Sequence, residues 1–260
     1  MTLRSTHGSF AKLAPLFLLS AALAACGGGG GSDAATETVP TDPQVGSPRA
    51  FAANYAAYIA GGDTGTFTVS GTCVGAAVVT MGAAITREAF EGQLRLWNPT
   101  RLVATVEAPP PGGSVPVPSR PCGLGNIDFT RSTYYGDAGT PIGFRYNVGE
   151  YLTANWSAGL PTVVSDGQSG RLASFERYAD SRKLVSTGSA TLDYRAAFEP
   201  GGDPRNPPVL VDLVTSMFAP SGLNEITETL RYRSVDGVGL RLVMLQYDYL
   251  GGARVTLTRQ

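Results

Sequence analysis

From residue 66 onward, apolar and polar residues alternate with a period of two through most segments, the mark of strands with one buried face. Phe67, Val69, Cys73, Ala77, Val79 and Met81 fall on one side, and Thr66, Thr68, Ser70, Thr72 and Thr80 on the other. Before them the period is helical. Phe51, Tyr55, Tyr58 and Ile59 form one apolar stripe that ends at Gly61-Gly62, and Ser47-Pro48 reads as the helix start. Arg101 to Glu107, Ile127 to Tyr135 and Ile142 to Val148 read as strands, and Arg171 to Tyr178 with Lys183 to Phe198 as a long hairpin. Leu192, Tyr194, Ala196 and Phe198 supply that hairpin's inner face. Thr86 to Trp97 fits a turn of helix or a strand, and Tyr151 to Gly170 reads as loop. Ala108 to Gly123 carries six prolines and is expected to be irregular. The pattern is clearest at the end, where Val209 to Phe218, Leu223 to Val235, Leu240 to Leu250 and Ala253 to Leu257 predict a four-strand meander with Gly-rich turns. The predicted fold is all-β: a bent antiparallel sheet or open barrel with one short N-terminal helix packed against it.

The first quarter of the pattern is different. Arg4 and Lys12 precede an apolar run from Leu13 to Leu23, and no acidic residue occurs before Asp33. This is the form of a secretory signal, too short for a bilayer span of about 20 residues. It closes on Leu23-Ala24-Ala25-Cys26, followed by five glycines. That tetrapeptide resembles the lipobox of bacterial lipoproteins. The resemblance implies a diacylglyceryl group on Cys26, cleavage before it, acylation of the new amino terminus, and a bilayer as partner. By the same analogy Gly27, rather than Asp, points to the outer membrane. The expected organisation is a signal peptide over 1–25, a lipidated flexible tether over 26–47 and a single β domain over 48–260. The phrase Phe67-Thr-Val-Ser-Gly-Thr-Cys73 also resembles a stretch of uncharacterised proteobacterial lipoproteins, a group with no activity to transfer.

Composition narrows the chemistry. The only histidine, His7, lies in the signal segment, so the chain beyond Cys26 has no imidazole for a Ser-His-Asp or Cys-His mechanism, or for the usual catalytic zinc site. That part carries 18 basic and 21 acidic residues, a formal net charge of −3, which argues against nucleic acid as a partner. Its one lysine, Lys183, stands beside 17 arginines, which we read as coding bias. Cys73 and Cys122 are expected to pair, given an oxidising compartment and an even count. Closing a loop of that size is worth about 4 kcal/mol in the chain-entropy model. No phosphate-binding glycine motif, nucleophile elbow, calcium loop or metal cluster is present in the sequence, and no cofactor or catalytic residue is expected.

Carboxylate pairs are the one hydrolytic device left, with Glu88/Glu91, Glu225/Glu228 and Asp212/Asp248 as candidates. Tyr134, Tyr135, Tyr146, Tyr151, Tyr247 and Tyr249, with Trp156, offer either a sugar-stacking patch or cross-strand sheet pairs. The leading expectation is a non-catalytic envelope module that binds a partner or acts structurally. A carrier of a lipid or other apolar ligand is the alternative, lined by Val209–Val214 and Leu240–Leu245, and a glycan hydrolase comes third.

Overall fold

The computed structural model describes residues 49–107, 125–200, 207–235 and 239–260. Cys26, Cys122, the tether and the whole proline-rich segment 108–123 lie outside the described residues. The chain runs β1 (Arg49–Ala50), α1 (Ala52–Gly61), β2 (Asp63–Gly71), β3 (Val74–Met81), β4 (Thr86–Phe90), β5 (Gln93–Glu107), β6 (Gly125–Tyr135), β7 (Pro141–Tyr146) and β8 (Tyr151–Ser157). It continues through β9 (Val163–Val164), β10 (Ser169–Tyr178), β11 (Ser186–Phe198), β12 (Val209–Phe218), β13 (Asn224–Val235), β14 (Gly239–Tyr249) and β15 (Arg254–Arg259).

The expected antiparallel all-β fold and short helix are present, and the sheet closes. Thirteen strands form one antiparallel sheet, in which β3 pairs with β5 and β15 with β2. Twelve of them thereby make a complete up-and-down barrel, and β4 stands outside it as an extra strand on β5. Closure leaves no edge along the barrel wall, the arrangement that satisfies every ladder. The meander from β12 to β15 follows the sequence reading closely. Of the two alternatives for Thr86–Trp97 the strand holds, as a β4–β5 hairpin with Glu91 and Gly92 at positive φ in the turn, whereas Tyr151–Ser157 is a strand where loop was expected. The helix begins at Ala52, after Arg49–Ala50 has paired with Val163–Val164, so the Ser47-Pro48 start is not used.

The wall is polar outside and apolar inside. Cross-strand pairs Arg101–Asp128, Arg171–Asp193, Arg231–Asp212 and Arg254–Asp248 ladder the outer face. A barrel embedded in lipid carries an apolar outer band and a polar lumen, the reverse of this pattern. These forks use the planar guanidinium, so many of the arginines read as coding bias have structural partners. Among the described residues no helix is long and apolar enough to cross a membrane.

Eight strands make a barrel just wide enough for side chains to fill, and twelve leave a wider lumen. At the end holding Asp63, Met81, Tyr135, Val209 and Arg259, α1 supplies the missing volume. Phe51, Tyr55, Tyr58 and Ile59, the predicted stripe, are buried there. Tyr55 and Tyr58 meet Tyr232 edge-on, with ring centroids 5.7 and 5.4 Å apart. The Tyr58 hydroxyl donates to Asp63 at 2.9 Å.

On the outer wall the β4–β5 hairpin lies over β6, β7 and β8. Phe90 stacks on Tyr134 at 4.2 Å and packs on Tyr151, while Glu88 accepts from the Tyr134 hydroxyl and Glu91 from that of Tyr151. Burial, with Glu88 adding to it, pushes the Tyr134 phenol up to about 12. Gly143 makes this possible, because a Cβ there would stand 1.9 Å from the Phe90 ring. Gly143→Ala is therefore expected to eject Phe90 and cost about 1–3 kcal/mol by overpacking. Urea denaturation checks it, and an unchanged midpoint would mean the hairpin contributes nothing to stability.

Candidate functional site

Among the described residues, no helix enters the other half of the lumen. Here β2, β5, β6, β12, β13, β14 and β15 enclose a cavity of about 290 Å³, close to the lower bound of small-molecule sites, about 300–1,000 Å³. Val69, Leu102, Ala104, Val106, Met217 and Leu257 make most of its wall apolar. All are inward positions of the strand alternation, and all six are buried. Exposed Val148 and the β7–β8 turn mark the rim. Ala104, opposite Ala77 and Ile127 in the ladders, is small at a place where most inward positions are large. Small side chains in a wide barrel keep the space.

The cavity has a polar inner limit. Arg131 on β6, between Phe129 and Thr133, and Glu228 on β13, between Ile226 and Leu230, take inward positions and meet across the lumen, Nη1 to Oε2 at 2.5 Å. Their side chains are only 8% and 5% exposed. Glu228 lines the large cavity, whereas Arg131 lines a second cavity of only about 30 Å³ on the α1 side. Burial acts to lower the guanidinium pKa, but the charge and hydrogen bond of Glu228 together with Tyr146 and Tyr247 outweigh it, and the net direction is upward. The guanidinium also sits 5.2 Å from the Phe144 ring centre.

Two buried polar atoms beside this pair, Arg131 Nε and the Tyr146 hydroxyl, have no hydrogen-bond partner of ordinary geometry. Tyr146, Tyr247 and Tyr249 all line the cavity. Burial raises the Tyr146 phenol and the Arg131 charge partly offsets it. Burial raises Tyr247 too, and there the Glu228 charge adds to it. All three phenols are neutral hydrogen-bonding groups at any ordinary pH. At the rim Arg177 bridges two carboxylates, Glu150 at 2.5 Å and Glu225 at 2.8 Å.

The candidate residues named from the sequence are thus dispersed. Cys73 is buried, lines the cavity and is disulfide-bonded, while its expected partner Cys122 and the expected lipidation site Cys26 lie outside the described residues. Glu88 and Glu91 are in the outer hairpin, held by Arg145 and Lys183. Glu225 and Glu228 bind different arginines, and Asp212 and Asp248 face outward on Arg231 and Arg254. The tyrosines do not form one patch: Tyr134 and Tyr151 lie under Phe90, Tyr146 and Tyr247 line the lumen, and half-exposed Trp156 is outside. Val209–Val214 and Leu240–Leu245, expected to line a cavity, instead fill the helix-plugged half, where Leu213, Leu242 and Leu245 surround only the small cavity. Among the described residues no group of three or more His, Cys, Asp or Glu side chains is placed to hold a metal. No family model, curated protein or solved structure matches the chain significantly.

Proposed function

We propose that the barrel is a non-catalytic binding module that carries a small apolar molecule in the half of its lumen left free by α1. The apolar cavity of about 290 Å³ carries this reading. At about 24 cal/mol per Å³, a cavity of that size represents several kcal/mol of packing forgone, which a ligand would restore. The same fold fills its other half to the last 30 Å³, so the open half is not a general looseness of the interior. The lipobox-like Leu23-Ala24-Ala25-Cys26 and the glycine run after it support tethering of this module to the outer membrane. In that setting a calyx would shelter an apolar molecule from water beside a bilayer.

The test is to fill the space. Ala104 lines the cavity and is 3% exposed. Ala104→Phe should abolish binding of the uncharged fluorophore N-phenyl-1-naphthylamine while leaving the melting temperature unchanged or higher. Equal binding in the variant, or no binding of any apolar probe to the parent protein, would refute a lumen ligand.

A further inference from the structure

We propose that the cavity selects an uncharged apolar ligand bearing a hydroxyl or carbonyl group, and discriminates against anions of the fatty-acid type. This rests on the lumen being the binding site. The inference comes from where the charges are. An anionic head group needs a cation that is free or can be freed, and both buried cations described near the cavity are already bound, Arg131 to Glu228 and Arg177 to Glu150 and Glu225. Of the Arg131–Glu228 pair, Glu228 is the one that lines the cavity, and Arg131 stands behind it on the α1 side. A carboxylate entering from the rim therefore meets a carboxylate first, inside a low-dielectric lumen where like charges are strongly unfavourable.

The rim adds to this. Glu150 and Glu225 share the single guanidinium of Arg177, so the three together carry one net negative charge. An ammonium head gains little at the inner limit, because Glu228 is already paired and breaking a buried pair is costly. What the inner wall offers is hydrogen bonding without charge. The buried Tyr146 hydroxyl has no hydrogen bond of ordinary geometry and leans only on Arg131, and Tyr247 and Tyr249 line the same wall. A buried polar atom without a partner is destabilising, and an alcohol or carbonyl oxygen arriving at the inner limit would supply one.

Displacement of N-phenyl-1-naphthylamine by 1-decanol, decanoate and decylamine near neutral pH tests the proposal. Decanol is expected to compete at concentrations about tenfold or more below the other two. Decanoate or decylamine competing as well as decanol would overturn the head-group selection while leaving the cavity as the binding site. Failure of the fluorophore itself to bind would remove the cavity reading and the selection with it. Glu228→Gln frees the Arg131 charge, so decanoate should gain about tenfold or more and decanol should change little. If decanoate gains nothing in a folded Glu228→Gln protein, the selection does not come from this pair. Should that variant not fold, Arg131→Gln combined with Glu228→Gln leaves a neutral lumen, in which the preference for decanol over decanoate should shrink but keep its sign. A preference for decanoate there would refute the proposal.

Discussion

Replacing Arg131 by leucine is expected to lower stability by about 3–5 kcal/mol, the usual consequence of leaving one member of a buried ion pair without the other. The orphan is Glu228, whose side chain is 5% exposed and has the Arg131 guanidinium as its ion-pair partner. Exchanging both residues, Arg131→Leu with Glu228→Leu, should recover most of that loss, because neither desolvated charge remains and the new side chains extend the apolar wall. Urea denaturation of the two single variants and the double variant gives the answer as a thermodynamic cycle. Single variants that each cost less than about 1 kcal/mol would show that water reaches the pair and that the lumen is wetter than its lining implies. The double variant has a second use. It removes the polar inner limit of the cavity, so it separates retention of an apolar ligand from selection of its head group.

The second large effect is expected at the seam between the first and last barrel strands. Arg259 on β15 grips Asp63 on β2 with both terminal nitrogens, at 2.6 and 2.9 Å, and also donates to the carbonyls of Leu242 and Thr64. Tyr58 on α1 donates to the same carboxylate, so one cluster ties the closing strand, the opening strand and the helical plug together. Gly65 leaves room for the guanidinium, since a Cβ there would come within 2.8 Å of it. Arg259→Ala should cost about 2–3 kcal/mol, in the range for charge-assisted hydrogen bonds lost from a largely buried site. The clamp also has a pH signature. Burial pushes the Asp63 carboxyl up, but hydrogen bonds from Arg259 and Tyr58 outweigh it and hold its pKa below the ordinary 3.8. A carboxyl depressed in the folded state stabilises fully above its unfolded pKa, and that contribution fades as the pH falls through the folded value. Acid unfolding below about pH 4 should therefore be steeper in the parent than in Asp63→Asn. Identical acid profiles for the two proteins would show that the clamp does not contribute to acid sensitivity.

Much of the wall was legible because alternation is a local property. The faces of Phe67–Val79 and Leu192–Ala196, the stripe Phe51–Ile59 and the final meander are all as the pattern implies. Closure was not legible, since pairing of β15 with β2 joins residues that no local period connects. Tyr151–Ser157 hid as a loop because Thr, Asn and Ser break its alternation, and only its place between β7 and β10 makes it a strand.

The site was legible in part, and its central feature was overlooked. Ile127, Phe129, Arg131, Thr133 and Tyr135 place an arginine on an inward register, and Ile226, Glu228, Leu230 and Tyr232 do the same for a glutamate. Two opposite charges in otherwise uncharged, mostly apolar registers signal a buried pair. The location of the cavity was not readable at all, because it depends on which half of the lumen the helix enters.

The seam also has a consequence for how the protein is made. The clamp joins residues 196 apart in sequence, and Gln260 reaches back to Thr68 across 192. Until β15 arrives, β2 and β14 are unpaired edges with the apolar interior behind them, the kind of surface that recruits other chains. Loop-closure entropy makes such distant pairing slow, in the millisecond-to-second range typical of topologies dominated by non-local contacts. Barrel closure is thus a late event that requires nearly the whole chain. A molecule that lacks β15 would be an open, sticky sheet with no enclosed lumen, and ligand binding would report closure of the barrel as well as affinity.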